Sequence, residues 1–221
     1  GTDFKIAEER IQGSMAMHTI VQNDSNDFDI DVGIVFEADN LANRGAESTR
    51  NMFRNALERK TNTFTDEPEV KTSCVRLKYS EGYHVDFAIF RRHKEYEWDD
   101  EFTYEHAGNK WSIRDIKALE EWFSQKIKEK GIELRQLVRL SKMFCKSRDT
   151  WGTLPSGMIQ TVICEEVFDY NYDRIDEKFY FTMKNIVNRL SYTLEVRAPI
   201  DNNRLLTTRQ IDLELMERWK N

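Results

Sequence analysis

Ten residues constrain this chain more than any others: Asp27-Phe28-Asp29-Ile30-Asp31-Val32-Gly33-Ile34-Val35-Phe36. Phe28, Ile30, Val32, Ile34 and Phe36 alternate with Asp29, Asp31, Gly33 and Val35. Side chains change face at every step of a strand, so Asp29 and Asp31 share one face and the apolar set lies behind them. Two like charges about 4 Å apart repel by about 4 kcal/mol at an effective dielectric near 20. A sequence selected for stability alone would avoid that pairing, which makes an intervening cation the natural explanation. Upstream stand Gly13-Ser14 and then Thr19. Downstream, His84-Val85-Asp86-Phe87-Ala88-Ile89-Phe90 reads as a second short strand with one acid, Asp86, on its polar face.

The rest of the chain limits what those acids can serve. With 221 residues, 39% hydrophobic and 33% charged, it is long enough to bury a core and reads as globular with a highly charged surface. Thirteen Phe, eight Tyr and five Trp argue against disorder. No apolar run approaches the roughly 20 residues that span a bilayer, and no signal-peptide pattern opens the sequence. A cytoplasmic protein with no membrane partner is therefore expected. The net charge of −6 does not favour a dedicated binder of long nucleic acid, though it permits a local basic pocket for triphosphates. Cys74, Cys145 and Cys164 are far apart and match no zinc-ligand spacing, so buried, reduced thiols are expected.

Along the chain, residues 5–13 read as a strand leading into Gly13-Ser14, and residues 14–21 suit a short helix. Gln22 to Asp27 is turn material. A helix is expected over residues 45–59, with Arg44, Arg50, Arg54 and Arg59 on a solvated face. Residues 70–79 read as one strand, Ser80-Glu81-Gly82 as a tight turn, and the strand bearing Asp86 as its hairpin partner. Residues 94–104 are a further strand or a loop. The character then changes. Helices are expected from Trp111 to Lys130 with Gly131 ending it, over residues 133–147, after Pro155-Ser156, and over residues 176–194 and 207–219. The fold class is α+β: a lobe with a mixed sheet over residues 1–108 and an all-helical lobe over residues 109–221.

Two acids at i and i+2 and a third on a neighbouring strand can converge on hard cations. Mg²⁺ takes oxygen ligands and leaves room for water and phosphate, and ion pairs about 4 Å apart serve in-line phosphoryl displacement. Gly13-Ser14 at a helix start offers backbone N–H groups and a hydroxyl to phosphate oxygens, with a glycine that permits close approach. An Asp-x-Asp pair alone is a weak signal, equally consistent with a solvated face or a calcium site. Gly-Ser, then Asp-x-Asp on an apolar strand, then a flanked Asp on a later strand is far more specific.

Those residues carry a resemblance. Ile11-Gln12-Gly13-Ser14, Thr19, Phe28-Asp29-Ile30-Asp31-Val32 and Val85-Asp86-Phe87 resemble the nucleotidyltransferase superfamily that includes DNA polymerase beta. More narrowly they resemble the bacterial cyclic GMP-AMP synthase/DncV-like nucleotidyltransferases, which make second-messenger oligonucleotides. Gly108-Asn109-Lys110-Trp111-Ser112 with Ala118-Leu119-Glu120-Glu121-Trp122-Phe123, Leu137-Val138-Arg139-Leu140-Ser141-Lys142, and Leu154-Pro155-Ser156 are similar to further tracts of that family. The resemblance implies a polymerase-beta-like lobe plus a helical lobe with the active site in the cleft. It implies two Mg²⁺ (or Mn²⁺) ions, with Asp29 and Asp31 binding both and Asp86 binding the one nearest the attacking 3′-hydroxyl. Gly13 and Ser14 would hold the donor triphosphate, and Lys142 and Ser156 would reach its outer phosphates. Read without the resemblance, Lys142 is a surface lysine, Ser156 a helix cap and Thr19 a helix-end residue.

The implied activity joins nucleoside triphosphates (ATP and/or GTP, UTP, CTP) into a cyclic di- or trinucleotide with release of pyrophosphate. The product would act on a downstream effector in anti-phage defence, with room for a regulatory protein. The alternatives are a linear nucleotidyl transferase acting on a protein, RNA or small molecule, and an inactive nucleotide-binding module. Three departures stand out. Gly157 follows Ser156 where some relatives carry a base-stacking aromatic, leaving Tyr83, Trp98 or Tyr104 for that role. The family's long N-terminal helix and part of its C-terminal helical region are missing from this sequence. No zinc-binding insertion is visible, so activation by long DNA is not suggested.

Overall fold

A computed structural model describes residues 4–22, 29–59, 66–80 and 82–221, apart from the side chain of Asp149. Asp27, Phe28 and Glu81, and with them most of the expected 22–27 turn, lie outside the described residues. The chain divides into two compact units, one of Gly1–Ala16 with Asp24–Lys117 and one of Met17–Asn23 with Ala118–Asn221.

The first unit is built on strand β2 (Asp29–Glu37), which pairs antiparallel with β1 (Ile6–Gln12) and parallel with β5 (His84–His93). Beyond β5 lie β4 (Val75–Lys78) along its first half and β6 (Thr103–Ala107) along its second. Strands β3 (Glu69–Val70) and β7 (Trp111–Ile113) extend these two. The sequence of β2 explains its place. Ile34, Val35 and Phe36 are consecutive and all nearly inaccessible, because both faces of the strand are covered there. Ile34 and Phe36 pack with Val75, Ile89 and Phe53 of helix α2 (Ala46–Glu58), while Val35 packs with Phe90 and Ile116 on the opposite face. Burying each of these side chains contributes roughly 1.5–3 kcal/mol. Toward its start, β2 carries its acids on the Val35 face instead. At the far end Arg92 reaches Glu37 at 2.7 Å and Glu8 at 3.3 Å, tying β5 to β2 and β1.

Several local expectations are corrected here. Helix α1 is only Gly13–Ala16, not residues 14–21, because the chain turns out of helix at His18, whose φ is 54°. The expected 70–79 strand is two strands, β3 and β4, folded back on each other where Lys71 N–H donates to the Cys74 carbonyl. Arg50 is buried rather than solvated, and its guanidinium donates to the Ala107 carbonyl at 2.7 Å and to that of Gly108. Trp111–Ile113 is strand, not helix. The helix waits until Ala118, since the Asp115 carboxylate captures the Lys117 N–H at 2.7 Å in a local turn.

The second unit contains α3 (Ala118–Lys130), α4 (Glu133–Lys146), α5 (Gly157–Glu166), α6 (Ile175–Tyr192) and α7 (Gln210–Lys220) around Phe123, Leu134, Leu137, Val138, Ile163, Ile186, Leu190 and Met216. Gly131 ends α3 at φ +89°, a conformation costly for other residues, with its N–H donating to Ile127. The lobe expected to be all-helical also holds a small hairpin, β8 (Arg197–Ala198) and β9 (Asp201–Leu205). Asp201 accepts the Asn203 N–H there, and this turn chemistry outcompetes a helix. All three cysteines are buried and unpaired with each other, as expected. Among the described residues, no helix is long and apolar enough to cross a membrane.

Candidate active site

In the parallel ladder Asp31 stands directly opposite Asp86, and Asp29 opposite His84. Cross-strand partners in register project from the same face, and so do residues two apart on one strand. Asp29, Asp31 and Asp86 therefore share one face of the sheet, with Asp31 and Asp86 on strands about 4.8 Å apart. The same face becomes apolar further along at Val35 and Phe90, so the acids cluster where the covered part of the sheet ends.

Gly13 completes this group. Strand β1 places Gln12 opposite Asp31, and the chain turns at Gly13 with φ +59°. A Cβ at Gly13 would lie 2.0 Å from Asp31 Oδ2, so only glycine lets the turn approach the carboxylate this closely. Ser14 follows in the single turn of α1. The Gly-Ser element and Asp31, singled out separately in the sequence, are thus direct neighbours.

Arg76 was not singled out as a site residue. It lies on β4 opposite Asp86, donating from Nε to Asp86 Oδ1 and from Nη2 to Oδ2, both at 2.7 Å. Its Nη2 also stands 3.6 Å from Asp29 Oδ1. The bidentate bond to Asp86 holds the guanidinium proton above even the usual arginine range, against the opposing effect of burial. Burial, and then the charge of Asp86, push the neighbouring Cys74 thiol up to about 11. The signal was present in the sequence. Counting back from a turn at residues 80–82 pairs Lys78 with His84 and Arg76 with Asp86, which is the register found.

The donor set is one of carboxylate oxygens, which suits Mg²⁺ or Mn²⁺ rather than a soft metal. Among the described residues, no three acid, histidine or cysteine side chains gather as a finished metal centre, and the Asp86 carboxylate is engaged by Arg76. The acids fit divalent ions in chemistry and in facing one way, with the fork of Arg76 as the element that must yield.

In the helical unit, Lys142 is not a surface lysine. It is 7% exposed, and its ammonium donates to the carbonyl and the hydroxyl of Thr19, each at 3.1 Å. Ser156 caps α5, its hydroxyl accepting the Ile159 N–H at 3.3 Å. Gly157 keeps the space between these two open, since a Cβ there would lie 3.2 Å from Lys142 Cε and Nζ. Thr19, Lys142, Ser156 and Gly157 are thereby brought together from three separated stretches. Of the aromatics considered for base stacking, Tyr104 donates its hydroxyl to Glu8, Trp98 stacks on Tyr96, and Tyr83 stacks on Tyr79 with centroids 4.6 Å apart.

Comparison with known proteins adds similarity to one family and one fold. Residues 7–90 match the family model for the nucleotidyltransferase domain of cyclic GMP-AMP synthase, DncV-like proteins. A cyclic GMP-AMP synthase of Escherichia albertii is 29% identical over 212 residues, which is 90% of this chain and 46% of that protein. The chain thus spans about half the length of that curated relative. Among solved structures, Vibrio cholerae DncV cyclic AMP-GMP synthase in complex with the linear intermediate 5′ pppA(3′,5′)pG has a TM-score of 0.75 at 19% identity, covering 96% of this chain and 60% of that one. The Bradyrhizobium diazoefficiens CD-NTase CdnG in complex with GTP has a TM-score of 0.68 at 15% identity, covering 97% and 75%. At such identities these structures speak to the fold, which is α+β with a mixed sheet. Over residues 7–90, then, this chain is similar to the nucleotidyltransferase domain of DncV-like proteins.

Proposed function

We propose that this chain is the nucleotidyltransferase core of a synthase that joins ribonucleoside triphosphates into a cyclic di- or trinucleotide with release of pyrophosphate. The observation that carries this reading is the register of Asp31 against Asp86, with Asp29 on the same face and Gly13 pressed against Asp31. Three acids and a glycine turn at one place serve phosphoryl transfer better than they serve stability. The relatives this chain is similar to, a cyclic GMP-AMP synthase and a DncV bound to a linear intermediate, support the cyclic product and the nucleotide substrates.

Asp29 and Asp31 are assigned to hold two divalent ions, Mg²⁺ or Mn²⁺, and Asp86 to hold one of them. When bound, such ions neutralise the triphosphate and acidify the attacking hydroxyl. Gly13 and Ser14 receive the donor triphosphate through backbone and hydroxyl donors. Lys142 and Ser156 are assigned to its outer phosphates, the lysine as a point charge already oriented by Thr19. The product signals to a downstream effector in defence against phage.

The test is incubation of the chain with labelled ribonucleoside triphosphates and Mg²⁺ or Mn²⁺, followed by phosphatase and mass spectrometry. Pyrophosphate release and a phosphatase-resistant product are expected. Product that phosphatase degrades would identify a linear transferase, and undiminished turnover in Asp29→Ala/Asp31→Ala would remove the assigned acids from the mechanism.

A further inference from the structure

The acids of the candidate site already hold a cation of the chain's own. Arg76 takes both oxygens of Asp86 in a planar fork and brings the same Nη2 to 3.6 Å from Asp29, two strands away. The side chains of Arg76 and Asp86 are 21% and 14% exposed, so the pair is only weakly screened. A pair serving only to fasten β4 to β5 would have no reason to reach Asp29 on β2. Strand fastening is done at the other end of the sheet by Arg92, which bridges Glu37 and Glu8. Arg76 instead stands on the acid-bearing face, bonded to Asp86 and close to Asp29, two of the three carboxylates that would otherwise repel each other across that face. An arginine in this position also competes with any divalent ion. Both need the same carboxylate oxygens, and two cations on one carboxylate repel.

We propose that Arg76 is an exchangeable counter-ion: it holds Asp86 and Asp29 in the metal-free chain and surrenders Asp86 when a divalent ion binds. This rests on the reading of Asp29, Asp31 and Asp86 as metal ligands. Its consequences are two. The chain folds with its acids satisfied before any metal is present, and its metal affinity is set below what three bare carboxylates would give.

The experiment is a Mn²⁺ titration followed by electron paramagnetic resonance, on the purified chain without nucleotide. It compares wild type with Arg76→Met, Arg76→Lys and Asp31→Asn, and circular dichroism confirms that each is folded. Arg76→Met is expected to bind Mn²⁺ about tenfold more tightly than wild type, the factor that ~1.4 kcal/mol of lost competition produces. Arg76→Lys, which keeps the charge without the fork, is expected to fall between them and supplies the comparison where the methionine variant fails to fold. The thermal midpoint of the metal-free Arg76→Met chain is expected to be lower than that of wild type, and its gain on adding Mn²⁺ larger. Mn²⁺ affinity in a folded Arg76 variant that equals or falls below wild type overturns the exchange. Mn²⁺ binding that survives Asp31→Asn overturns instead the metal-site reading beneath it.

Discussion

At Gly13 the backbone holds φ +59°, and a methyl group placed there would lie 2.0 Å from Asp31 Oδ2. Gly13→Ala is therefore expected to cost about 2 kcal/mol by urea denaturation, part from the left-handed backbone and part from the clash. Adding Asp31→Ala removes the clash but not the backbone strain, so the double variant is expected to recover about half of that loss. Both variants should be inactive in the pyrophosphate assay. The thiols make a second residue-level prediction. Burial pushes Cys74 up to about 11 and Cys145 and Cys164 up to about 12. Their folded values stand above the unfolded one, so their contribution to stability is complete below about pH 8.5 and is lost as pH rises toward 11 and 12. The urea midpoint should fall between about pH 8 and pH 10, and neutral thiol reagents should label the native chain slowly.

At the scale of elements, one side chain holds more than its sequence context suggested. Arg50 ties α2 to the Ala107 and Gly108 carbonyls from a site 5% exposed. Arg50→Met is expected to destabilise by about 2–3 kcal/mol, because it leaves buried carbonyls without donors, and urea denaturation measures this. Its sequence pattern, arginines spaced along a helix, gave no sign of burial, since the acceptors come from a turn nearly sixty residues away. For Ser156 the observed cap and the proposed phosphate contact can be tested separately. As the cap of α5 it is worth about 1 kcal/mol, so Ser156→Ala should lose that and Ser156→Asp should keep it. If Ser156 also meets phosphate, Ser156→Asp should still lower triphosphate affinity by at least tenfold through charge repulsion, as read by a filter-binding assay. Elements with a clear hydrophobic period are legible in the amino-acid sequence. Helices α2 and α4 lie within a residue of their expected bounds, α5 opens directly after Pro155-Ser156 as expected, and β2 ends one residue beyond its expected end. Elements whose ends are decided by competing turn chemistry are not legible in this way: β3 and β4 part at Thr72-Ser73, and β7 separates from α3 at Asp115.

On the scale of the whole chain, each unit has its own apolar core, one around Ile34, Phe36 and Ile89 and the other around Leu137, Ile163 and Ile186. The acids lie outside both cores. Removing divalent ions with EDTA is therefore expected to abolish pyrophosphate release while leaving the thermal midpoint in metal-free buffer within about 2 °C, since Arg76 keeps Asp86 and Asp29 compensated. The amino-acid sequence by itself determined the acidic strand, its facing, the Gly-Ser turn before it and the change from strands to helices, because period and turn chemistry are local properties. Only the tertiary structure decided that Asp86 stands opposite Asp31, that Gly13 lies against the same carboxylate, and that Arg76 reaches past Asp86 to Asp29. It also decided that Lys142 is buried against Thr19. These pairings join stretches tens of residues apart, and which strand lies beside which follows from burying the shared apolar faces, a choice that no short window of sequence contains.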